Sequence, residues 1–360
     1  MNAMILCAGL GTRFLPVTEV IAKPAIPFLN IPLLGYSLFH IEKVQTKNIV
    51  LNTHHLPKTI EVAAREIANA AKRPARMQFS REPEILGSGG GIRAAEKYLS
   101  NEEFVVANGD EVILFSHGKS FEPLIEFHRK SKALATLLVT DHPEAGYTMG
   151  GVWADANNRI TRLGEKSGER PNEKSGASGA KHFAGVFVFS PRIFDFMPPD
   201  GAFHIFNDCL IPAIRSGENV MAFYDPKLLW LDTTNVKAFI NSTNQALEKL
   251  AALPTDNNAA VNAHPHASEL LAIQKRYGHE LNRVGETQWM APGAQFSGSL
   301  SIRAHLLMGE NSEIASGVEV KNFAVIGAGA RFSQGVIDSS VIAPKVHVNE
   351  LVGLKRQVIV

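Results

Sequence analysis

The chain has only two cysteines, Cys7 and Cys209, in 360 residues. A disulfide framework is excluded, and since each lies in an apolar stretch, two buried thiols are expected. No Cys/His cluster has zinc spacing: His54-His55 and His264-Pro265-His266 read as loop residues. No apolar run approaches the roughly 20 residues that span a bilayer, and the N-terminus lacks the basic and apolar segments of a secretory signal. A cytoplasmic protein without a membrane partner is expected. Charge of one sign is missing too, with 36 Lys and Arg against 35 Asp and Glu. The one short basic cluster, residues 72–76, reads as a solvated helix end and loop, so nucleic acid is not an expected partner. There is no Gly-x-Ser-x-Gly elbow and no thiol with an evident histidine partner, which removes the familiar covalent nucleophiles. The Rossmann fingerprint fails at Phe14, where its third glycine would stand, and the full Walker A pattern is absent.

What is present is an alternation. Apolar strand candidates at residues 3–8, 48–52, 77–79, 104–107, 135–139 and 183–189 are separated by helical patterns at 33–44, 58–71, 90–99 and 121–130, with a further helix at 236–253. This predicts an α/β fold, a Rossmann-like mixed and mostly parallel sheet with helices on both faces. Residues 169–181, rich in Gly, Ser, Lys and Glu, break the pattern and read as a loop. After residue 253 the composition turns polar, with a linker at 254–266 and a helix at 268–277. Then Met290, Phe296, Ile302, Met308, Ile314, Val320, Ile326 and Phe332 fall on every sixth position. A six-residue apolar period is the mark of a parallel β-helix, whose rungs bury their apolar faces only by stacking. The phase slips after Phe332, near Asp338-Ser339-Ser340, which predicts a bulge, a shorter rung or a cap. The expected division is 1–253, 254–285 and 286–360.

Four segments carry chemistry. The first strand opens into Gly9-Leu10-Gly11-Thr12-Arg13 and, after a loop, Lys23-Pro24. Glycines at a strand's carboxyl end let backbone N–H groups approach an anion, and Arg13 and Lys23 add a donor fork and a point charge. The second segment, Arg81-Glu82-Pro83-Glu84-Ile85-Leu86-Gly87-Ser88-Gly89-Gly90-Gly91, precedes a helix, where backbone could lie flat against a base or turn N–H groups to an anion. The third, Phe104 to Asn108-Gly109-Asp110, ends a buried strand in a carboxylate, and Leu229-Trp230-Leu231-Asp232 does the same. Two such carboxylates on adjacent strand ends make a hard oxygen site suited to Mg²⁺. The fourth is Leu163-Gly164-Glu165-Lys166, which by itself would be ordinary solvated surface.

Leu6-Cys7-Ala8-Gly9-Leu10-Gly11-Thr12-Arg13, with Pro16 and Lys23-Pro24-Ala25-Ile26-Pro27-Phe28-Leu29-Asn30-Ile31-Pro32, resembles the signature of the sugar-1-phosphate nucleotidyltransferases. It departs from the family at Cys7, usually alanine, and at Thr234, usually glycine. The resemblance implies the nucleotide-diphospho-sugar transferase type of fold with a left-handed β-helix, and Mg²⁺ held by Asp110 and Asp232. It implies catalytic cations at Arg13 and Lys23, and a nucleotide site of Ala8, Gly9, Gly11, Thr12, Arg13, Glu82, Leu86, Gly87, Ser88 and Asn108. It also implies a sugar-phosphate site of Gly151 (or Gly150), Glu165, Lys166 and Gly185. The partners would be a nucleoside triphosphate and a sugar 1-phosphate, and the product an NDP-sugar with pyrophosphate. Glu82 could accept from both N1–H and the exocyclic amine of guanine, whereas uracil offers one N–H, which leans to GTP with a mannose- or heptose-type sugar. Leu86-Gly87-Ser88-Gly89 also resembles the guanylyltransferase pattern. The alternatives are a uridylyltransferase acting on an amino-sugar or muramic-type phosphate, or a non-catalytic regulatory or scaffold relative. The C-terminal repeat points to assembly into a homo-oligomer, with His305 and His347 leaving acyl transfer open.

Overall fold

The computed structural model of the chain describes residues 1–71, 76–166, 179–254, 263–348 and 352–360. Most of the expected loop at 169–181 and of the linker at 254–266 lies outside these residues, as does the basic cluster apart from Arg76, which opens a strand.

Seven strands form the main sheet in the order Val220–Tyr224, Ala135–Thr140, His182–Phe189, Phe104–Asn108, Asn2–Leu6, Asn48–Thr53, Arg76–Arg81. Only His182–Phe189 runs against its neighbours, so the sheet is mixed and mostly parallel, as expected. Burial on both faces explains the near-continuous apolar runs. Ala3 and Ile5 enter one core layer and Met4 the other; Val105 and Ala107 are likewise opposed to Phe104 and Val106. Helices Leu33–Lys43, Pro57–Ala70 and Val236–Ala251 cover the first layer, and Gly87–Ala94 covers the second. The strand Val220–Tyr224 lies outside the apolar runs that mark the other strands, being short and ending in an exposed tyrosine.

The C-terminal strands pair in parallel, Gln288 with Leu306, His305 with Phe323 and Glu313 with Arg331, each partner eighteen residues on, which is three hexapeptides. Inside, Met308, Ile314, Val320, Ile326 and Phe332 form a core of their own. Outside, Leu307, Phe323, Val325 and Val341 join the first layer of the main sheet, so the two parts share one apolar cluster. One position of the six-residue period is corrected. Ile302 is 96 % exposed, because the ladder there pairs Leu300 with Val320, two residues out of step, and Leu300 packs against the interior instead. The expected slip is present: the offset shortens between Lys321 and Ala324, opposite Asp338 and Ser340.

The one Gly-Lys-Ser in the chain, Gly118-Lys119-Ser120, lacks a leading P-loop glycine and ends in a buried serine. Ser120 Oγ lies 3.0 Å from Nδ1 of fully buried His40, whose Nε2 lies 3.0 Å from the Ile113 carbonyl. The carbonyl requires a proton on Nε2, so Nδ1 accepts from the serine. Burial pulls the His40 pKa from 6.5 to about 3. A depressed folded-state pKa stabilises above the unfolded value and loses that contribution as pH falls below it. Stability to urea should therefore drop from pH 7 to pH 4, and a His40→Gln variant should show a smaller drop; an identical pH dependence in the variant would refute this role.

Candidate active site

The carboxyl ends of strands Asn2–Leu6 and Phe104–Asn108 lie side by side, with Leu6 opposite Asn108. Cys7 and Ala8 are buried, and Gly9 emerges where an added Cβ would meet nothing within 4 Å. Gly11 turns the loop at φ +66°, a conformation that favours glycine, and a Cβ there would sit 2.8 Å from Thr18 Cγ2. The Thr18 hydroxyl donates to the Gly11 carbonyl at 2.9 Å. Phe14 anchors the following turn, its ring edge-on to Phe239 at 5.4 Å, while Thr12 and Arg13 stay exposed and Arg13 has no partner among the described residues.

Lys23 returns to this loop from a short helical turn, Lys23–Ala25. Its side chain is only 9 % exposed and its Nζ donates to Asp110 Oδ2 at 2.6 Å. A buried ammonium needs such a partner to offset its lost hydration. Gly9, Gly11, Arg13, Lys23, Asp110 and Thr234 are among the residues around a cavity of about 310 Å³.

Asp232 follows a different strand and does not itself line this cavity, although Thr234, two residues on, does. Leu229–Leu231 pairs antiparallel with Val112–Leu114, Leu231 opposite Val112, so Asp232 lies beside the residues that precede Val112. The Thr233 hydroxyl donates to the Asp110 carbonyl at 2.5 Å, and the Thr234 N–H holds Asp232 Oδ1 at 2.8 Å. A backbone N–H does this work, which explains why threonine can stand where the family signature has glycine. Each aspartate keeps one oxygen with no protein partner among the described residues, a donor set that fits a hard divalent cation.

Other expected residues are placed differently. Glu82 is 5 % exposed and does not line the cavity; Oε1 accepts from Asn52 Nδ2 at 2.7 Å and Oε2 from the Leu86 N–H at 3.1 Å. The same Asn52 accepts from the Cys7 N–H at 2.8 Å, so Glu82 braces the root of the glycine loop. Each of its oxygens thus already accepts one hydrogen bond beneath the helix. The glycines 87–91 do not precede the helix but form its first turns. Gly87, at φ +71°, and Gly89 admit Phe203, whose carbonyl would lie 2.6 Å and whose ring 2.4 Å from added Cβ atoms. Ser88 Oγ accepts from the Ile205 N–H at 3.1 Å, and Leu86 O accepts from the Phe203 N–H at 3.0 Å. These residues hold a neighbouring segment.

Gly151 is squeezed between Trp153 and Ala180, and its N–H donates to the Glu165 carbonyl at 3.1 Å. Glu165 is exposed and pairs with Arg162 at 3.5 Å; Lys166 is exposed with no partner among the described residues. Neither lines the cavity. Gly185, at φ +78°, makes room for Glu111, whose Cγ would sit 2.4 Å from an added Cβ. Glu111 was not anticipated: it accepts from Trp230 Nε1 at 2.6 Å and Asn108 Nδ2 at 3.2 Å, and burial together with neighbouring Asp110 raises its pKa to about 7.

The family described as Nucleotidyl transferase matches residues 2–249. The chain belongs to this family. Among its relatives, mannose-1-phosphate guanylyltransferase of Mycobacterium tuberculosis is 25% identical over 94% of this chain and 82% of its own length. UTP–glucose-1-phosphate uridylyltransferase of Synechocystis is 25% identical over 95% and 82%. Of solved structures, UDP-glucose pyrophosphorylase complexed with UDP-glucose superposes with a TM-score of 0.57 at 18% identity, covering 69% of this chain and 98% of its own. HddC from Yersinia pseudotuberculosis, complexed with GMP-PN, gives 0.54 at 21%, covering 68% and 98%. At these identities the structures establish a shared fold. Among the described residues no helix is long and apolar enough to cross a membrane.

The buried geometry of Glu82 makes a definite forecast. Glu82→Gln should lower folding stability by about 1–3 kcal/mol, through loss of a charged acceptor, and leave the order of preference among nucleoside triphosphates unchanged. A switched preference in the variant would return Glu82 to the base.

Proposed function

We propose that the chain transfers a nucleotidyl group from a nucleoside triphosphate to a sugar 1-phosphate, releasing pyrophosphate. The observation that carries this is the convergence of Arg13, Lys23, Asp110 and the glycine loop on one cavity at the carboxyl ends of the sheet, where α/β folds collect ligands. A phosphate oxygen of the sugar 1-phosphate attacks the α-phosphorus in line, a new P–O bond forms, the bond to the β-phosphate oxygen breaks, and pyrophosphate carries the charge away. Charge neutralisation and alignment then supply the catalysis. Arg13 and the N–H groups of residues 9–12 would hold the triphosphate and the departing pyrophosphate. Lys23, released in part from Asp110, would meet the α-phosphate, and Lys166, from the hairpin beyond Leu163, would guide the incoming phosphate. Glu165 would take sugar hydroxyls. Asp110 and Asp232 would hold Mg²⁺, which supplies Lewis-acid charge neutralisation on the phosphates.

GTP with a mannose- or heptose-type phosphate is the favoured pair. With Glu82 engaged elsewhere, this preference rests on the resemblance of residues 86–89 and on the guanylyltransferase names among the relatives. UTP is the second reading, favoured by the equally similar Synechocystis relative. Residues 286–360 are proposed to form a left-handed parallel β-helix serving homo-oligomer assembly, supported by the eighteen-residue parallel offsets.

Pyrophosphate release measured over four nucleoside triphosphates crossed with common sugar 1-phosphates tests the reading, and silence across the panel would refute it. Lys23→Ala should lower turnover by about 10²- to 10³-fold, as for other single charge-stabilising groups, and near-normal turnover would remove Lys23 from the chemistry. Asp110→Asn should abolish Mg²⁺-dependent release and, because it leaves the buried Lys23 ammonium without its counter-charge, should also lower the urea midpoint of unfolding.

A further inference from the structure

Asp110 and Asp232 sit at the open end of a ribbon of only three residue pairs, Leu229–Leu231 against Val112–Leu114. Two-stranded ribbons of this length are marginal by themselves. Mg²⁺ nevertheless demands oxygens near 2.0–2.1 Å in nearly octahedral array, so small drifts of either carboxylate weaken it. Two side-chain hydrogen bonds cross the ribbon end among the described residues. One uses the Asp110 backbone carbonyl and the Thr233 hydroxyl. The other joins side chain to side chain, Trp230 Nε1 to Glu111 Oε2 at 2.6 Å.

Both partners of that second bond are fixed on their far sides. Glu111 Oε1 accepts from Asn108, and its Cγ fills the space that Gly185 leaves. The Trp230 ring lies on His182 with centroids 4.1 Å apart and meets His142 edge-on at 5.4 Å. Trp230 and Asp232 are two apart on an extended segment and share a face, while Glu111 directly follows Asp110. With both oxygens accepting hydrogen bonds, Glu111 orients the segment instead of ligating.

We propose that Glu111 and Trp230 are positioning residues, a side-chain bridge that sets the separation of Asp110 and Asp232 and thereby the affinity for the divalent cation. This rests on the assignment of those aspartates as the metal pair. Losing a group that orients metal ligands typically weakens metal affinity about 10- to 100-fold.

The test is Mn²⁺ binding to the full chain without nucleotide, followed by the free-ion electron paramagnetic resonance signal. Trp230→Phe keeps the ring packing and changes no charge; Glu111→Ala and Glu111→Gln both remove the charge, but only glutamine can still accept from the indole. Affinity should fall about tenfold in Trp230→Phe and Glu111→Ala and stay close to the wild type in Glu111→Gln. The Mg²⁺ concentration for half-maximal pyrophosphate release should rise in parallel, with the maximal rate recovering at high Mg²⁺, which a general loss of folding would not produce. Wild-type Mn²⁺ affinity in both Trp230→Phe and Glu111→Ala, with Asp110→Asn defective, overturns the bridge and leaves the metal assignment standing. Undiminished binding in Asp110→Asn and Asp232→Asn overturns the assignment and the bridge with it.

Discussion

The ion pair between Lys23 and Asp110 is the contact on which the carboxyl edge of the sheet depends. An ammonium that is nine-tenths buried is tolerated only against an opposite charge, so the loop carrying Lys23 and the strand end carrying Asp110 are obliged to meet. Other features follow from placing charge there. Burial, with Asp110 adding to it, pushes the Cys7 thiol far above its ordinary range, so this cysteine is inert packing at the foot of the glycine loop. Glu111 feels burial and Asp110 together, which is why it leans on Trp230 and Asn108.

Glycine serves two distinct purposes around this centre. At Gly9 the missing side chain leaves open space over the cavity, and at Gly11 it permits the turn. At Gly109, where an added Cβ would sit 2.6 Å from Cys7 Sγ, and at Gly185, it lets protein approach protein. Gly87, Gly89 and Gly91 belong to the second kind, the last giving way to the Asn52 amide and the Glu82 carboxylate. A glycine-rich stretch before a helix looks like an anion cradle in a sequence, yet three-dimensional packing can consume every one of its vacancies.

The C-terminal strands belong to the same mechanical system. The hairpin after Lys23 ends in Leu29 and Asn30, both at positive φ; Asn30 donates to the Ile326 carbonyl at 2.9 Å, and Leu29 O accepts from Gln274 at 2.6 Å. Helix Pro265–Arg276, which a polar stretch of sequence separates from the sheet, sends Glu269 to the Phe115 N–H and Arg276 to Glu42. The segment bearing the candidate catalytic lysine is thus clamped at its far end by residues 245 and 296 positions away.

Periodicity and local chemistry determined a good deal. Apolar runs specify buried parallel strands because both faces of such a sheet are covered, and the six-residue period specifies parallel pairing at eighteen-residue offsets because one short strand cannot bury its apolar face alone. The convergence of the loop Gly9 to Arg13, Lys23 and Asp110 on one cavity was legible because it follows from residue type at the end of a strand. Tertiary structure alone decided what long-range contacts control. It turned Glu82 inward onto Asn52, set Phe203 against Gly87 and Gly89, put Ile302 into solvent by a two-residue slip, and brought Trp230 to Glu111 across the ribbon end. A sequence states which groups can bind; only packing settles which of their lone pairs, donors and vacancies remain for a ligand.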